Sequence, residues 1–297
     1  MNDTVQRFLF EHLPVRGEVV QLAASWRAVV DRHRLPPPLR SVLGELMAAA
    51  TLLAATLKFE GTITLQMHGN GPVSLIVVEC SNGEALRATA KWREEAGLDL
   101  LPASPPPLHK LLGEGRFVIS LVPANGQQAY QGVVDLAGET VAAVLEHYMS
   151  TSEQVETRLW LASDESRCGG LLLQKLPERE STGDPDGWTR LCHLAGTVTA
   201  DELCRLDVRT LLHRLFHEDD VRLFEPRPVF FRCSCTRERV AGMLRLLGPE
   251  EVRSVLAERG EVEVHCEFCN RRYAFDAVDG EALFARGVVL SGDPAPQ

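Results

Sequence analysis

The chain has 297 residues, of which 45% are hydrophobic and 24% are charged, a balance typical of a globular protein with a large core. Its net charge of −10 argues against a general role in nucleic-acid binding, because an acidic surface repels the phosphate backbone. Eight cysteines are few for a secreted disulfide scaffold, and the first residues do not form a secretory signal. We therefore expect a cytoplasmic protein.

A membrane role is not expected either. The longest apolar stretch, residues 46–57, is too short to cross a bilayer and follows Glu45. It predicts a buried helix rich in alanine and leucine.

The first 177 residues are predicted to form an α+β core domain. Apolar residues at helical spacing predict one helix over 17–34, which the Pro36-Pro37-Pro38 run ends, and a second, buried helix over 43–57. Alternating patterns and Asn-Gly turns then predict an antiparallel meander, a later hairpin, a helix and two further strands. Their predicted bounds are 61–68, 73–78 and 85–92 for the meander, 116–122 and 128–136 for the hairpin, 141–149 for the helix, and 157–162 and 171–176 for the last strands. We expect two small antiparallel sheets with flanking helices, separated in sequence by a proline-rich loop over 101–107.

Residues 178–231 are predicted to form a helical, metastable linker. Residues 178–188 are polar and rich in glycine, proline and aspartate. Thr199 to Glu202 forms a capping box, and Asp207 caps a helix with an apolar face. Such short helices are not stable alone, so we expect them to rest on the core domain through modest contacts and to be able to detach.

Residues 232–297 are predicted to form a small α/β module. Helices are expected over 237–247 and from Pro249 to Glu258, with strands at 262–265 and 272–275. The module has little apolar material, so a bound metal would supply much of its folding free energy.

Four cysteines in this module carry the strongest chemical signal of the sequence. Cys233 and Cys235 form a CxC motif, and Cys266 and Cys269 form a CxxC motif. Two close pairs of thiolates are the ligand set of a closed tetrahedral zinc site, so we expect one zinc per chain. Neighbouring thiolates can also oxidise to disulfides and release the metal. From spacing alone, a purely structural site and a redox-active site both remain open.

The remaining thiols and histidines give weaker signals. Cys80, Cys168, Cys192 and Cys204 are expected to be small buried residues. The Cys192-His193 pair and His265 lack a second ligand at suitable spacing. No GxSxG, HExxH or P-loop motif occurs, so no enzymatic activity is expected.

Many segments, in order along nearly the whole chain, resemble the redox-regulated holdase chaperones known as 33 kDa chaperonins. The matching segments are Arg7-Phe-Leu-Phe-Glu11, Val15-Arg-Gly-Glu18, Leu43-Gly-Glu-Leu-Met-Ala-Ala49, Leu57-Lys-Phe-Glu-Gly61, Gly69-Asn-Gly-Pro72, Ser152-Glu-Gln154, Gly169-Gly170, Gln174-Lys-Leu-Pro177, Arg232-Cys-Ser-Cys-Thr-Arg-Glu-Arg239 and Val264-His-Cys-Glu-Phe-Cys269.

The resemblance implies an ATP-independent chaperone that is inactive while its four cysteines hold zinc. Oxidation would form Cys233–Cys235 and Cys266–Cys269 disulfides, expel zinc, loosen the linker and produce a homodimer that binds unfolding client proteins. The core domain would then serve client binding and dimerisation. The alternative is a constitutive zinc knuckle that binds RNA or a protein partner. A thiol oxidoreductase is a third class, but the CxxC lacks the surrounding βαβ pattern.

Overall fold

A computed structural model describes residues 3–57, 60–100, 106–177 and 184–285. The chain divides into two units, Met1–Arg232 and Cys233–Gln297. Most of the predicted proline-rich loop (101–105) and the first part of the predicted linker (178–183) lie outside the described residues.

The first unit combines antiparallel strands with helices. Its core elements in chain order are β1 Thr4–Phe10, β2 Val15–Leu22, α1 Ala24–Val30, α2 Pro37–Thr56, β3 Gly61–Gly69, β4 Val73–Ser81, β5 Ala85–Trp92, α3 Leu108–Leu112, β6 Gly115–Pro123, β7 Tyr130–Asp135, α4 Val141–Thr151, β8 Thr157–Ser163 and β9 Cys168–Lys175, with short 3₁₀ turns at Glu94–Ala96 and Leu98–Leu100. The linker follows with α5 Gly187–Ala195, α6 Ala200–Arg205, α7 Val208–Phe216, β10 Val221–Leu223, β11 Arg227–Pro228 and β12 Phe230–Phe231. The α+β fold class is confirmed.

Two six-stranded sheets organise this unit. The first sheet has the order β10-β1-β2-β9-β8, with β11 also paired to β1, and the second sheet has the order β12-β5-β4-β3-β6-β7. Helix α2 packs against strands of both sheets, and its apolar residues lie in one core cluster with theirs. Pro37 begins this helix at a position where the missing N–H costs nothing.

The long helix α2 satisfies the length and composition expected of a membrane-spanning segment. However, 83% of its apolar window is buried inside the protein, as in the core helix of a globular domain.

Most predicted core elements are confirmed, but the predicted helix over 17–34 is wrong. Residues 15–22 form β2, and a helix covers only 24–30. Strand β2 lies inside the first sheet, and Gly17, Glu18, Val19 and Val20 are all buried. A strand that is covered on both faces loses its two-residue alternation, so its apolar spacing resembles that of a helix. Strand β1 was not predicted.

The linker helices cover the outer face of the first sheet. The apolar side chains of α5, α6 and α7 form one cluster with those of β1, β2, β8 and β9. Its buried members are Phe8, Phe10, Val15, Val19, Ala162, Leu171 and Leu173 of the sheet and Leu191, Ala195, Leu203, Cys204, Val208, Leu211, Leu212, Leu215 and Phe216 of the linker. Full burial of one leucine or phenylalanine side chain contributes about 1.5–3 kcal/mol to the stability of the folded state.

The linker makes more extensive contacts with the first unit than the sequence indicates. Both predicted caps are present: Thr199 and Glu202 form the capping box of α6, and Asp207 accepts hydrogen bonds at the start of α7. The linker also adds strands to both sheets, since β10 and β11 pair with β1 and β12 runs parallel to β5. The apolar contact of the linker is thus larger than expected, its ability to detach stays a prediction, and the described linker belongs to the first unit.

Gly169 allows α6 to approach the sheet closely. A Cβ atom at this position would lie 2.6 Å from the Leu203 carbonyl oxygen, a contact too short for any real side chain. From the neighbouring strand, the Gln21 side-chain amide donates to the carbonyls of Leu203 (3.0 Å) and Leu206 (2.7 Å) at the end of α6. These hydrogen bonds satisfy carbonyls that a short helix leaves without partners.

The second unit is built from α8 Arg237–Leu247, α9 Pro249–Arg259, β13 Val262–His265, β14 Arg272–Phe275 and α10 Ala277–Phe284. The predicted bounds of α8, β13 and β14 are confirmed, and α10 was not predicted. Among the residues of this unit up to 285, the buried apolar core is small and consists of Val240, Ala241, Leu244, Val252, Val262, Tyr273 and Phe275.

Glu45 on α2 should make the stability of the first unit dependent on pH. Burial raises the pKa of its carboxyl from 4.5 to about 7. The folded-state pKa of Glu45 is higher than its unfolded-state pKa. The part of the folding stability that depends on this carboxyl is therefore fully present below pH 4.5 and is lost as the pH rises through 7. We expect Glu45→Gln to increase the free energy of unfolding at pH 8 by about 1–3 kcal/mol, and to have little effect at pH 4.5. Urea denaturation at both pH values measures this, and an equal effect at both would contradict it.

Gly169→Ala should loosen α6 from the first sheet, because the added methyl group meets the backbone of Leu203. The matched control is Gly170→Ala, whose methyl group meets the side chains of Leu161 and Leu52 instead. We expect Cys204, which is 2% exposed, to react with a thiol reagent at least about tenfold faster in Gly169→Ala than in the wild type. Peptide-resolved mass spectrometry measures the rate. An unchanged rate in Gly169→Ala, or the same increase in Gly170→Ala, would show that the close contact between Gly169 and α6 does not keep the linker on the sheet.

Candidate metal centre

Two turns of the second unit carry the four predicted cysteine ligands. Cys233 and Cys235 lie just before α8, whose first turn is capped by the Thr236 hydroxyl, an acceptor for Arg239 N–H. Cys266 and Cys269 lie in the loop between β13 and β14, which the pairing of His265 with Arg272 closes.

Backbone hydrogen bonds fix the second turn. The Cys266 N–H donates to the Arg271 carbonyl at 3.0 Å, and the Asn270 N–H donates to the Cys266 carbonyl at 2.8 Å. Asn270 has φ of +55°, a left-handed conformation that asparagine tolerates better than most residues. The loop therefore folds back on itself and presents both of its thiols at one place.

The structure brings all four predicted sulfurs together. They lie within 4.8 Å of one another, with Cys233 Sγ 3.6 Å from Cys266 Sγ and Cys235 Sγ 3.3 Å from Cys269 Sγ. A disulfide bond would require about 2.05 Å, so the four cysteines are free thiols. Zinc–sulfur bonds of about 2.3 Å in a tetrahedron place sulfurs about 3.8 Å apart. The donor set thus fits a metal ion that prefers four thiolates.

Tyr273 on β14 is a contact of the cluster that the sequence did not predict. Its hydroxyl donates to Cys235 Sγ at 3.1 Å. The only hint in the sequence was that Tyr273 lies four residues after the CxxC motif, inside a predicted strand, and so close to the predicted ligands. Desolvation raises the pKa of Cys235, but donation from Tyr273 and from the neighbouring thiols outweighs it and lowers that pKa to about 7. Desolvation raises the pKa values of Cys233 and Cys269. One thiolate is therefore favoured before any metal binds.

Packing around the cluster ties it to the rest of the second unit. Cys235 and Cys266 are half-buried against its apolar core. Arg237 lies 4.2 Å above the ring of Phe275 and forms an ion pair with Asp279 of α10 at 2.6 Å. Asp276 and Asp279 form the capping box of α10. This pattern is visible in the sequence and could have predicted α10.

Rival ligands do not join the cluster. His265 pairs with Glu263 at 3.3 Å, and among the described residues the four cysteines are the set that could hold a metal ion. Cys80, Cys168 and Cys204 are buried in the first unit as predicted, whereas Cys192 is only half-buried. Burial raises the pKa of Cys80 to about 12 and that of Cys204 to about 11, so both thiols are poor nucleophiles.

Comparison with known proteins identifies the family. The family model described as Hsp33 protein matches residues 3–276. The chain belongs to the Hsp33 family. It is 47% identical over 294 residues to the 33 kDa chaperonin of Methylobacillus flagellatus, covering 99% of this chain and 98% of that protein. It is 48% identical over 296 residues to the 33 kDa chaperonin of Chromobacterium violaceum, with the same coverage.

The fold has a counterpart of known structure. The crystal structure of the 33 kDa chaperonin from Thermotoga maritima superimposes with a TM-score of 0.78 at 22% identity, covering 94% of this chain and 97% of that one. The family is a family of chaperones, which bind unfolded client proteins. The names of its members describe chaperones and not enzymes. The resemblance stated from the sequence is thereby confirmed at the level of family and fold.

Removal of one ligand should unfold the second unit, because its apolar core is small. We expect Cys266→Ser to lower the metal content from about one ion per chain to near zero, and to abolish amide protection in α8 and α9. Cys192→Ser, outside the cluster, is the matched control and should retain both. Elemental analysis and hydrogen exchange on the reduced proteins measure these effects. Full protection in a metal-free Cys266→Ser protein would contradict the structural role of the metal.

Proposed function

We propose that this protein is a redox-regulated, ATP-independent holdase of the bacterial cytoplasm. The observation that carries the proposal is the cluster of four free thiols within 4.8 Å, whose first member, Cys233, follows the last strand of the linker in sequence after one residue. The metal is zinc, which favours four thiolates in a closed site, and Cys233, Cys235, Cys266 and Cys269 are its ligands. When bound, zinc neutralises part of the thiolate charge and cross-links the two turns.

Oxidation converts the ligands into groups that no longer hold a cation. In each pair, two thiols and one peroxide molecule give one disulfide and two water molecules, with the two electrons passing from sulfur to the O–O bond. The family resemblance implies Cys233–Cys235 and Cys266–Cys269 as the pairs. A disulfide sulfur carries no negative charge, so the metal is released and the second unit loses much of its folding free energy.

The linker connects this event to the first unit. Arg232 alone separates β12 from Cys233 in the sequence. While the second unit is folded, it restrains the chain that follows β12. When the second unit unfolds, the two-residue pairing of β12 with β5 loses that restraint and frays first. Helices α5–α7 are too short to persist once they leave the sheet, so the linker unfolds as a whole.

The surface released by the linker suits a client protein. Seven buried apolar residues of the first sheet, including Phe8, Phe10 and Leu171, lie under the linker helices and would become exposed. A contiguous apolar surface of this kind binds other chains that expose apolar residues. The same exposure accounts for homodimerisation of the oxidised protein. The proposed holdase catalyses no reaction and binds neither a membrane nor a specific nucleic acid.

The test measures metal release and chaperone activity in one sample. Peroxide treatment at a mildly denaturing temperature should release about one zinc per chain and should create the ability to suppress aggregation of an unfolded client. The reduced protein should show neither effect. Mass spectrometry of the oxidised sample should find the two disulfides within the CxC and CxxC motifs, although Cys235 Sγ lies 3.3 Å from Cys269 Sγ in the reduced cluster.

Two variants serve as controls for the oxidation step. Cys80→Ser removes a buried thiol outside the cluster and should switch like the wild type. Cys233→Ser should suppress aggregation without peroxide if loss of the metal is what frees the linker. An oxidised wild-type protein that releases zinc and protects no client would refute the proposal. Salt-sensitive binding of an oligonucleotide by the reduced protein would favour the alternative knuckle function.

A further inference from the structure

A cavity of about 550 Å³ opens in the first unit next to the end of β9. Its polar lining includes Arg16, Gln174, Lys175 and Glu156, and its apolar lining includes Val155 and Leu176. The volume falls within the range of about 300–1,000 Å³ for small-molecule sites. The cavity lies apart from the apolar cluster under the linker, and the proposed chaperone function does not use it.

Buried hydrogen bonds hold the Arg16 guanidinium in place. Arg16 Nε donates to Gln174 Oε1 at 2.8 Å, and Arg16 Nη2 donates to the same oxygen. Gln174 is 3% exposed, and its amide donates to the hydroxyl of buried Thr157 at 3.0 Å. That hydroxyl donates to the Val155 carbonyl at 3.2 Å. The guanidinium is thus oriented before any ligand arrives, which reduces the entropy lost on binding.

The charge of Arg16 is not neutralised by these contacts. Gln174 is neutral, and the nearby buried carboxylate, Glu18, accepts instead from Arg7 Nε at 2.9 Å. Within the described part of the chain, Arg16 forms no ion pair, and Nη1 of its guanidinium makes no hydrogen bond. Burial lowers the pKa of Arg16, Arg7 lowers it further, and Glu18 opposes them. A half-buried guanidinium with one free edge is poised for a bidentate oxyanion.

A second cation lies at the rim. Lys175 Nζ is 4.0 Å from Glu156 Oε1, a distance at which an exposed pair is weak. Gln154 also lines the cavity, and its backbone φ of +55° is uncommon for a residue other than glycine. The guanidinium and the ammonium can both contact the two negative charges of a phosphate ester, with Glu156 as the one carboxylate of the described lining.

We propose that this cavity binds a small phosphomonoester, with the phosphoryl group on Arg16 and Lys175 and the organic group against Val155 and Leu176. A cavity of this volume has room for more than inorganic phosphate, and its apolar side favours an ester. The site is independent of the thiol cluster, so it can be tested on the reduced protein.

The test compares three probes on the full-length reduced protein by titration calorimetry. Phenyl phosphate should bind most tightly, inorganic phosphate less tightly and benzoate least tightly. Arg16→Gln and Lys175→Gln should each weaken phenyl phosphate binding by about tenfold or more, the effect of one charge-assisted hydrogen bond. Arg158→Gln is the matched control, because Arg158 lies on β8, pairs with Glu146 and does not line the cavity.

Each other outcome is decisive against the proposal. No heat of binding with about 10 mM phenyl phosphate would overturn the site. Equal binding by the wild type and by both cavity variants would overturn the role of the two cations. Equal affinities for phenyl phosphate and benzoate would overturn the phosphoryl assignment, and equal affinities for phenyl phosphate and inorganic phosphate would overturn the contact with the organic group. If Arg16→Gln does not fold, the result for Lys175→Gln, a change at the rim, decides.

Discussion

The apolar contact between the linker helices and the outer face of the first sheet is the interaction on which the proposed switch depends. Helices α5, α6 and α7 are at most nine residues long, so they have no stable existence away from the sheet. The contact hides apolar surface from both partners. In the proposed switch, the same residues keep the reduced protein closed and supply the surface that an unfolding client would meet.

The thiol cluster is suited to control this contact because the second unit has so little else to stabilise it. In the described part of this unit, seven buried apolar residues form the core, and the cross-link between its two cysteine turns would carry a large share of its folding free energy. In the proposed switch, a metal held by thiolates is lost when the thiolates are oxidised, so folding of this unit would depend on the redox state. The first unit has a larger apolar core, with α2 packed between two sheets, and its described cysteines lie outside the thiol cluster.

The sequence predicted the members of the thiol cluster better than the pairing of the strands. The CxC and CxxC motifs identified all four clustered sulfurs, because ligand spacing is a local property of the chain. The bounds of α8, β13 and β14 were also local and were predicted correctly. Strand β2 was mistaken for a helix because burial on both faces, which only the tertiary structure creates, removes its alternation. Strands β10–β12 have two or three residues each, and their pairing with β1 and β5 is set by contacts distant in sequence. The arrangement of Arg16, Gln174 and Thr157 arises from three strands and has no local signal.

The most direct measurement is hydrogen exchange of the linker during oxidation, with zinc release followed in the same sample. The proposed switch predicts that amides of α5–α7 lose protection at the rate of zinc release, while amides of β3 and β4, which lie in the second sheet, remain protected. Linker amides that stay protected after complete zinc loss would contradict the coupling between the thiol cluster and the linker.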